Sequence, residues 1–417
     1  MTLDGQRGTG QGARRAGSGR AAREEERWMR RAIALARRGR PHPNPHVGAV
    51  VVRGGRVIGE GFHARQGLAH AEVVALRRAG RRARGATLVV SLEPCDHQGL
   101  TPPCTAAILA AGIRRVVVGA RDLDPRARGR GPRRLRRAGV EVQVGVLAAE
   151  AAGVNEAYDH WQRTGRPLVE LKLAASLDGR LALHDGESRW ITGAEARREG
   201  HRLRAKADAV LVGAGTVRQD DPALTVRLAR GPQAVRVVVS GRLDLPQNAR
   251  LFRDRKARTW VLTTPRAARS ARARALVSRG IEVIAVPEPG ESRDAHPPLA
   301  RRRRARPSGV EPPGGHRAPG TVDLAATLEV LAARGIRRLL VEGGMEVATA
   351  LLRQGLIDRF HLHLAAVVLG GEHRGWAGSL GVRRLTEGIR LTEVRVRRLG
   401  TDIGIEGRPR ARARGVR

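Results

Sequence analysis

The chain has 417 residues, with 78 Lys+Arg against 40 Asp+Glu and a formal net charge of +38. That length suggests two or three domains at roughly 150 residues each, and no apolar run nears the ~18 residues that a membrane-spanning helix needs. All but Lys172, Lys206 and Lys256 of the basic residues are arginine and aromatics are 2%, so the charge reads as a compositional bias with few rings for base stacking, and specific nucleic-acid binding is not expected.

Residues 1–22 are mostly Gly, Arg and Ala and are expected to form a disordered basic tail. A helix is expected from Glu24 to Arg38, with acidic residues at its positive end and Gly39 as its stop. Pro43-Asn44-Pro45-His46 then leads into a hairpin of Val50–Val52 and Val57–Ile58 around Arg53-Gly54-Gly55-Arg56. Asn44, held stiffly between prolines, is a candidate to read a heterocycle's edge; His42, His46 and His63 read as loop histidines. The next helix, from about Ala69 to Ala79, carries His70 and Glu72 in its first turn. A buried strand from Thr87 to Leu92 ends in Glu93-Pro94-Cys95, and Pro102-Pro103 precedes Cys104 and a short helix.

His70, Cys95 and Cys104 offer one imidazole and two thiols, the donor set of a tetrahedral zinc site with an open fourth position. Such an ion makes water acidic enough to attack at neutral pH, and Glu72, two residues past the imidazole, can carry the proton to a leaving amine. His-x-Glu followed by Pro-Cys and a second Cys is the zinc-deaminase pattern, here with eight residues between the cysteines. No apolar export segment opens the sequence, so a reducing cytoplasm is expected and a disulfide is the weaker reading. Strands at Ile113–Val118 and Val140–Val146, with a helix around Pro132–Ala138, complete a β-β-α-β-α-β-α-β order and a three-layer sheet.

A boundary falls near Thr164-Gly165-Arg166-Pro167. Strand Leu168–Leu173 leads into Ser176-Leu177-Asp178-Gly179, and Thr192 with Glu195 fits a capping box for a helix reaching Ala207. Further strands are expected at Ala209–Val212, Val235–Val239, Thr259–Thr263, Ile281–Val286 and Leu339–Val341. Residues 288–320, rich in Pro, Arg and Gly, read as a disordered insertion. Glu342-Gly343-Gly344 at a strand-to-helix turn can hold a phosphate on backbone N–H groups. There is no Gly-x-Gly-x-x-Gly, so this is not a standard Rossmann unit.

These motifs together resemble the bifunctional deaminase–reductase of riboflavin biosynthesis, over about residues 24–408. The long cysteine spacing in Pro94–Cys104 resembles its first half. Ser176-Leu177-Asp178-Gly179, Trp190-Ile191-Thr192, Asp221-Pro222-Ala223-Leu224-Thr225-Val226-Arg227 and Val341-Glu342-Gly343-Gly344 resemble its second. The resemblance implies an α/β protein: a cytidine-deaminase-like three-layer α/β/α domain over 23–165, and a dihydrofolate-reductase-like α/β domain over 166–408, with a basic tail at 409–417.

The first half would hydrolyse the ring amine of 2,5-diamino-6-ribosylamino-4(3H)-pyrimidinone 5′-phosphate. The second would use NADPH to reduce the ribosyl group of 5-amino-6-(5-phosphoribosylamino)uracil to ribityl. By position, His70, Cys95 and Cys104 match the Zn²⁺ ligands and Glu72 the catalytic proton carrier. Ala174, Trp190, Thr216, Asp220 and Gly344 match NADPH contacts; Ser188, Arg204, Leu224, Arg227 and Glu342 match contacts to the phosphorylated substrate. A cytoplasmic homo-oligomer with no membrane partner is expected. The chain departs from the family at Ser240, usually Asp; at Ala365-Ala366-Val367, usually Ala-Pro-Lys; and at Asp122-Leu123-Asp124-Pro125, usually Asp-Pro-Asn-Pro.

Overall fold

The structure, a computed structural model, describes residues 10–185, 187, 190–290 and 320–410. Ser188, most of the 288–320 insertion and residues 411–417 lie outside them, as does the start of the 1–22 tail. The chain divides into two compact units, 1–164 and 165–417.

In the first unit, α1 (Gly10–Ala36) precedes β1 (Gly48–Arg53), β2 (Arg56–Phe62), α2 (Ala71–Ala79), β3 (Thr87–Leu92), α3 (Cys104–Ala110), β4 (Arg115–Ala120), α4 (Arg130–Arg137) and β5 (Glu141–Val144), and α5 (Ala148–Val154) and α6 (Glu156–Thr164) close the unit. The sheet order is β2-β1-β3-β4-β5. The β1–β2 and β1–β3 pairs are antiparallel, and β3–β4–β5 run parallel. Valine-rich strands bury both faces, as a sheet covered by helices on each side requires. Leu88, Val90, Val116 and Val118 pack against Ala75 of α2, Ile108 of α3 and Leu135 of α4. Val50, Val89 and Val117 face Met29 and Ile33 of α1 and Ala151 of α5. The layers are therefore α/β/α.

The first helix begins at Gly10, not Glu24, so part of the expected tail is helical. Ala and Arg are strong helix formers, and adding turns to an existing helix avoids the cost of nucleation.

In the second unit the chain runs β6 (Leu168–Ala175), β7 (Arg180–Ala182), α7 (Ala194–Lys206), β8 (Ala209–Gly213), α8 (Ala214–Asp220), β9 (Val235–Val239), α9 (Arg250–Arg253), β10 (Thr259–Thr263), α10 (Pro265–Ala268), α11 (Ala271–Val277) and β11 (Glu282–Ala285). It resumes with α12 (Leu324–Ala333), β12 (Arg338–Glu342), α13 (Met345–Arg353), β13 (Arg359–Leu364), β14 (Arg374–Gly375), β15 (Leu391–Leu399) and β16 (Asp402–Pro409). Nine strands form one sheet, β11-β10-β9-β8-β12-β6-β13-β16-β15. It is parallel from β11 to β13, and β16 and β15 add antiparallel. The carboxyl ends of β6, β8 and β12 sit side by side at its centre, where open α/β sheets bind ligands.

The Thr192–Glu195 capping box does not form. The N-cap of α7 is Gly193, without a side-chain cap, and the Asp402 carboxylate accepts the Gly193 N–H at 2.6 Å. A carboxylate from β16 thus satisfies the backbone N–H of the N-cap residue itself.

Candidate active sites

The first site lies where two helices and one strand end together. His70 is the N-cap of α2, and Cys104 is the first residue of α3 behind Pro103. Cys95 lies three residues past the end of β3. His70 Nδ1 lies 3.1 Å from Cys104 Sγ and 3.5 Å from Cys95 Sγ. The three donor atoms all fall within 4.8 Å of one another. Zn–N near 2.0 Å and Zn–S near 2.3 Å place tetrahedral ligand atoms roughly 3.5 Å apart, so the cluster fits zinc.

The surroundings orient the donors. His70 Nε2 lies 3.3 Å from Thr101 Oγ1. With the proton on Nε2 donated there, Nδ1 presents its lone pair to the sulfurs. Hydrogen bonding from Cys104 holds the Cys95 thiol well below its ordinary value, while the same bond pushes Cys104 up. The pair therefore favours at least one thiolate, which a cation would meet. Glu72 is buried, and burial first, then Cys95, pushes its carboxyl up to about 7. A carboxyl poised there gives and takes a proton near neutrality.

The loop before β1 reaches this site through Asn44 and His63. Asn44 Nδ2 lies 3.3 Å from His63 Nε2, and the His63 ring is 4.9 Å from that of His70. Asn155 holds the loop from both sides: it accepts the His46 N–H at 2.7 Å and donates to the His46 carbonyl at 2.9 Å. Sequence reasoning missed Asn155, which lies 109 residues from its partner.

The second unit holds a cavity of about 990 Å³ beside the carboxyl ends of β6, β8 and β12. Ala174, Trp190, Arg204, Thr216, Asp220, Leu224, Arg227, Glu342 and Gly344 all line it; of the residues expected in this half, only Ser188 lies outside the described residues. Leu224 is also a core leucine, packed with Val212 and Val238. Trp190 stands exposed, with Arg197 stacked on its ring at 4.8 Å. At the β12–α13 turn Gly343 and Gly344 have φ of +77° and +78°, and a Cβ on Gly344 would lie 3.1 Å from Thr216 Oγ1. Thus glycine keeps the cavity open to a ligand at a helix start.

The cavity floor is charged. Arg204 donates from Nε and Nη2 to the two oxygens of Glu342, each at 2.6 Å. Burial opposes both charges, but each holds the other ionised: Arg204 is pushed up and Glu342 down. His201 is lowered to about 4 by burial and by Arg204, so it is neutral at pH 7, and its Nδ1 accepts the Arg227 N–H at 3.0 Å. Burial lowers Lys172, a lining residue the sequence reading passed over although it is one of three lysines. The lining carries seven Lys or Arg against four Asp or Glu, a balance that suits an anionic ligand.

Comparison with known proteins follows the same division. Residues 22–120 match the cytidine and deoxycytidylate deaminase zinc-binding region, and 167–405 match the RibD C-terminal domain. The chain is 38% identical over 385 residues to the riboflavin biosynthesis protein RibD of Aquifex aeolicus, covering 91% of this chain and 97% of that one. It is 39% identical over 382 residues to the Escherichia coli protein of the same name, covering 91% and 98%. Among solved structures, Acinetobacter baumannii RibD superposes with a TM-score of 0.78 at 33% identity, over 94% of this chain and all of that one. A Thermotoga maritima diaminohydroxyphosphoribosylaminopyrimidine deaminase/5-amino-6-(5-phosphoribosylamino)uracil reductase gives 0.76 at 34% identity, over 93% and 99%.

Proposed function

The chain belongs to the RibD family of riboflavin biosynthesis, bifunctional enzymes that join a zinc-dependent deaminase to an NADPH-dependent reductase, and on that premise we propose how its residues divide the work. The deaminase is assigned to 23–165 and the reductase to 166–408. The substrates are the diaminopyrimidine phosphate for the first step and its deaminated product for the second. The observation that carries this reading is the meeting of His70, Cys95 and Cys104 beside a buried Glu72.

His70, Cys95 and Cys104 would hold the zinc ion. Bound zinc lowers the pKa of water from about 16 to roughly 7. Glu72 would take up the proton of the attacking water and pass it to the ring amine, which would leave as ammonia as the ring carbon gains the water's oxygen. A buried carboxyl two residues from the imidazole ligand is placed to serve both transfers. The Asn44 amide, steadied by Asn155 through His46, presents hydrogen-bonding groups near the site.

In the second unit NADPH supplies the hydride. The Gly343–Gly344 turn and the start of α13 would receive its phosphates, and Ala174, Trp190, Thr216 and Asp220, which line the cavity, would contact it. Arg204, Arg227, Leu224 and Glu342, with Ser188, contact the phosphorylated substrate. The Arg204–Glu342 pair fixes both side chains, so the substrate meets a set framework and not two mobile charges. No helix among the described residues is long and apolar enough to cross a membrane. The enzyme works in the cytoplasm as a homo-oligomer on small molecules, without a specific nucleic-acid partner.

Purified protein incubated with the diaminopyrimidine phosphate is expected to release ammonia without NADPH, and to oxidise NADPH only once deamination has occurred. Absence of ammonia from zinc-loaded protein would refute the reading.

A further inference from the structure

We propose that Asp96, Thr105 and Arg134 form a clasp that sets the distance between the two cysteine sulfurs, and so act as positioning residues for the metal. The inference rests on the zinc assignment above and goes beyond it, since none of the three is a ligand.

Asp96 directly follows Cys95, and Thr105 directly follows Cys104. The Thr105 hydroxyl donates to Asp96 Oδ1 at 2.6 Å, and Arg134 Nη1 of α4 donates to the same oxygen at 2.8 Å. One carboxylate oxygen therefore ties together the residues behind both sulfurs and anchors them to a helix. The backbone supports the tie: the Thr105 N–H reaches the Cys95 carbonyl at 3.3 Å, and the Cys104 N–H reaches Cys95 Sγ at 3.4 Å. Helix α4 is held close, because a Cβ on Gly131 would lie 1.9 Å from the Pro94 carbonyl oxygen.

The chain between the cysteines needs such a restraint. Gln98, Gly99 and Leu100 are exposed, and Leu100 is 77% accessible, so little packing fixes that stretch. A metal that requires both sulfurs near 2.3 Å binds more tightly when they are already in place, because the ordering cost has been met in the empty protein. The clasp is not a fold-stabilising ion pair of consequence. Arg134 is 46% exposed, and exposed pairs contribute little. Thr105 is fully buried, so its hydroxyl bond has no water to replace it.

Zinc-loaded full-length protein and its variants are titrated with a chromogenic zinc chelator, and the melting of each apoprotein is followed by circular dichroism. Outer-shell losses typically weaken metal binding about 10- to 100-fold, and Thr105→Val and Asp96→Ala are expected in that range. Thr105→Ser, which keeps the hydroxyl, stays within about twofold of the parent. The double variant Asp96→Ala/Thr105→Val binds zinc no more weakly than its worse single, because both remove the same bond. The proposal is overturned if Thr105→Val holds zinc as firmly as the parent, if Thr105→Ser loses as much as Thr105→Val, or if the loss merely tracks unfolding of the apoprotein. A parent protein that binds no zinc overturns the metal assignment itself, a result distinct from a zinc-binding parent whose variants are unaffected.

Discussion

Arg204 and Glu342 are both largely buried and meet through two 2.6 Å bonds. Removing one partner of such a pair leaves an unmatched charge in the cavity floor, at a cost of roughly 3–5 kcal/mol. Arg204→Ala is therefore expected to lower the unfolding free energy of the second unit, read from its urea transition, by that amount and to abolish NADPH oxidation. Ammonia release, which depends on the first unit, should persist; its loss would show that the two activities cannot be separated by site. Arg204→Lys keeps the charge but not the fork, and should retain most of the stability while raising KM. Residues of this kind differ in how legible they are. His70, Glu72, Cys95 and Cys104 are readable because an imidazole, a carboxylate and two thiols fall within one pattern. Lys172 and His201 are not, since each looks like an ordinary residue of a strand or helix until the cavity brings it beside Glu342. Asp96, Thr105 and Arg134 are invisible in sequence because their meaning lies in one shared oxygen.

A pleated strand alternates its faces, and β6 uses this to bury one acid among three basic neighbours. Glu170 bonds Arg338 of β12, lies 3.8 Å from Arg359 and 3.5 Å from His361 of β13, and is almost fully buried. Burial pushes its carboxyl up, but Arg338, His361 and Arg359 together outweigh burial and hold it at about 2, against 4.5 for a free glutamate. Because the folded value is depressed, the stabilisation is complete above about pH 4.5 and is lost as pH falls toward 2, on the order of 3 kcal/mol in all. Acid unfolding of Glu170→Gln, followed by circular dichroism from pH 6 downward, should begin from a lower stability and show a flatter slope in that window. An unchanged slope would mean the cluster is not what holds the sheet in acid. The strands β13, β15 and β16 escaped the sequence reading although they complete the sheet. In β15 the Val-Arg alternation of Val394–Arg397 has the right period, but seven of its nine residues are exposed, so no hydrophobic face marks it. Joining two elements, Asn155 at the α5–α6 junction makes a comparable case. Asn155→Ala strips both bonds from the His46 backbone and should cost about 1–3 kcal/mol. The deaminase KM should rise more than kcat falls, because the loop that carries Asn44 loosens while the metal ligands stay.

For the molecule as a whole, the division into two α/β units was legible because a second run of strands and motifs opens after the turn at Thr164-Gly165-Arg166-Pro167, whereas charge told little about the fold. The same charge has a consequence for rate. Both proposed substrates carry a phosphate, and a protein at +38 attracts anions over a distance set by salt. That distance shrinks from about 30 Å at 0.01 M to about 8 Å at 0.15 M ionic strength. Raising salt across this range should lower kcat/KM for both steps, by on the order of tenfold if encounter limits them, and leave kcat unchanged. The first-step substrate without its phosphate provides the control, since a neutral ligand feels little of the field and its kcat/KM should move far less. Equal salt sensitivity of the two would place the effect on the protein's own stability. No sensitivity in either would mean that the arginines lie away from the approach to the sites, their excess a feature of composition alone.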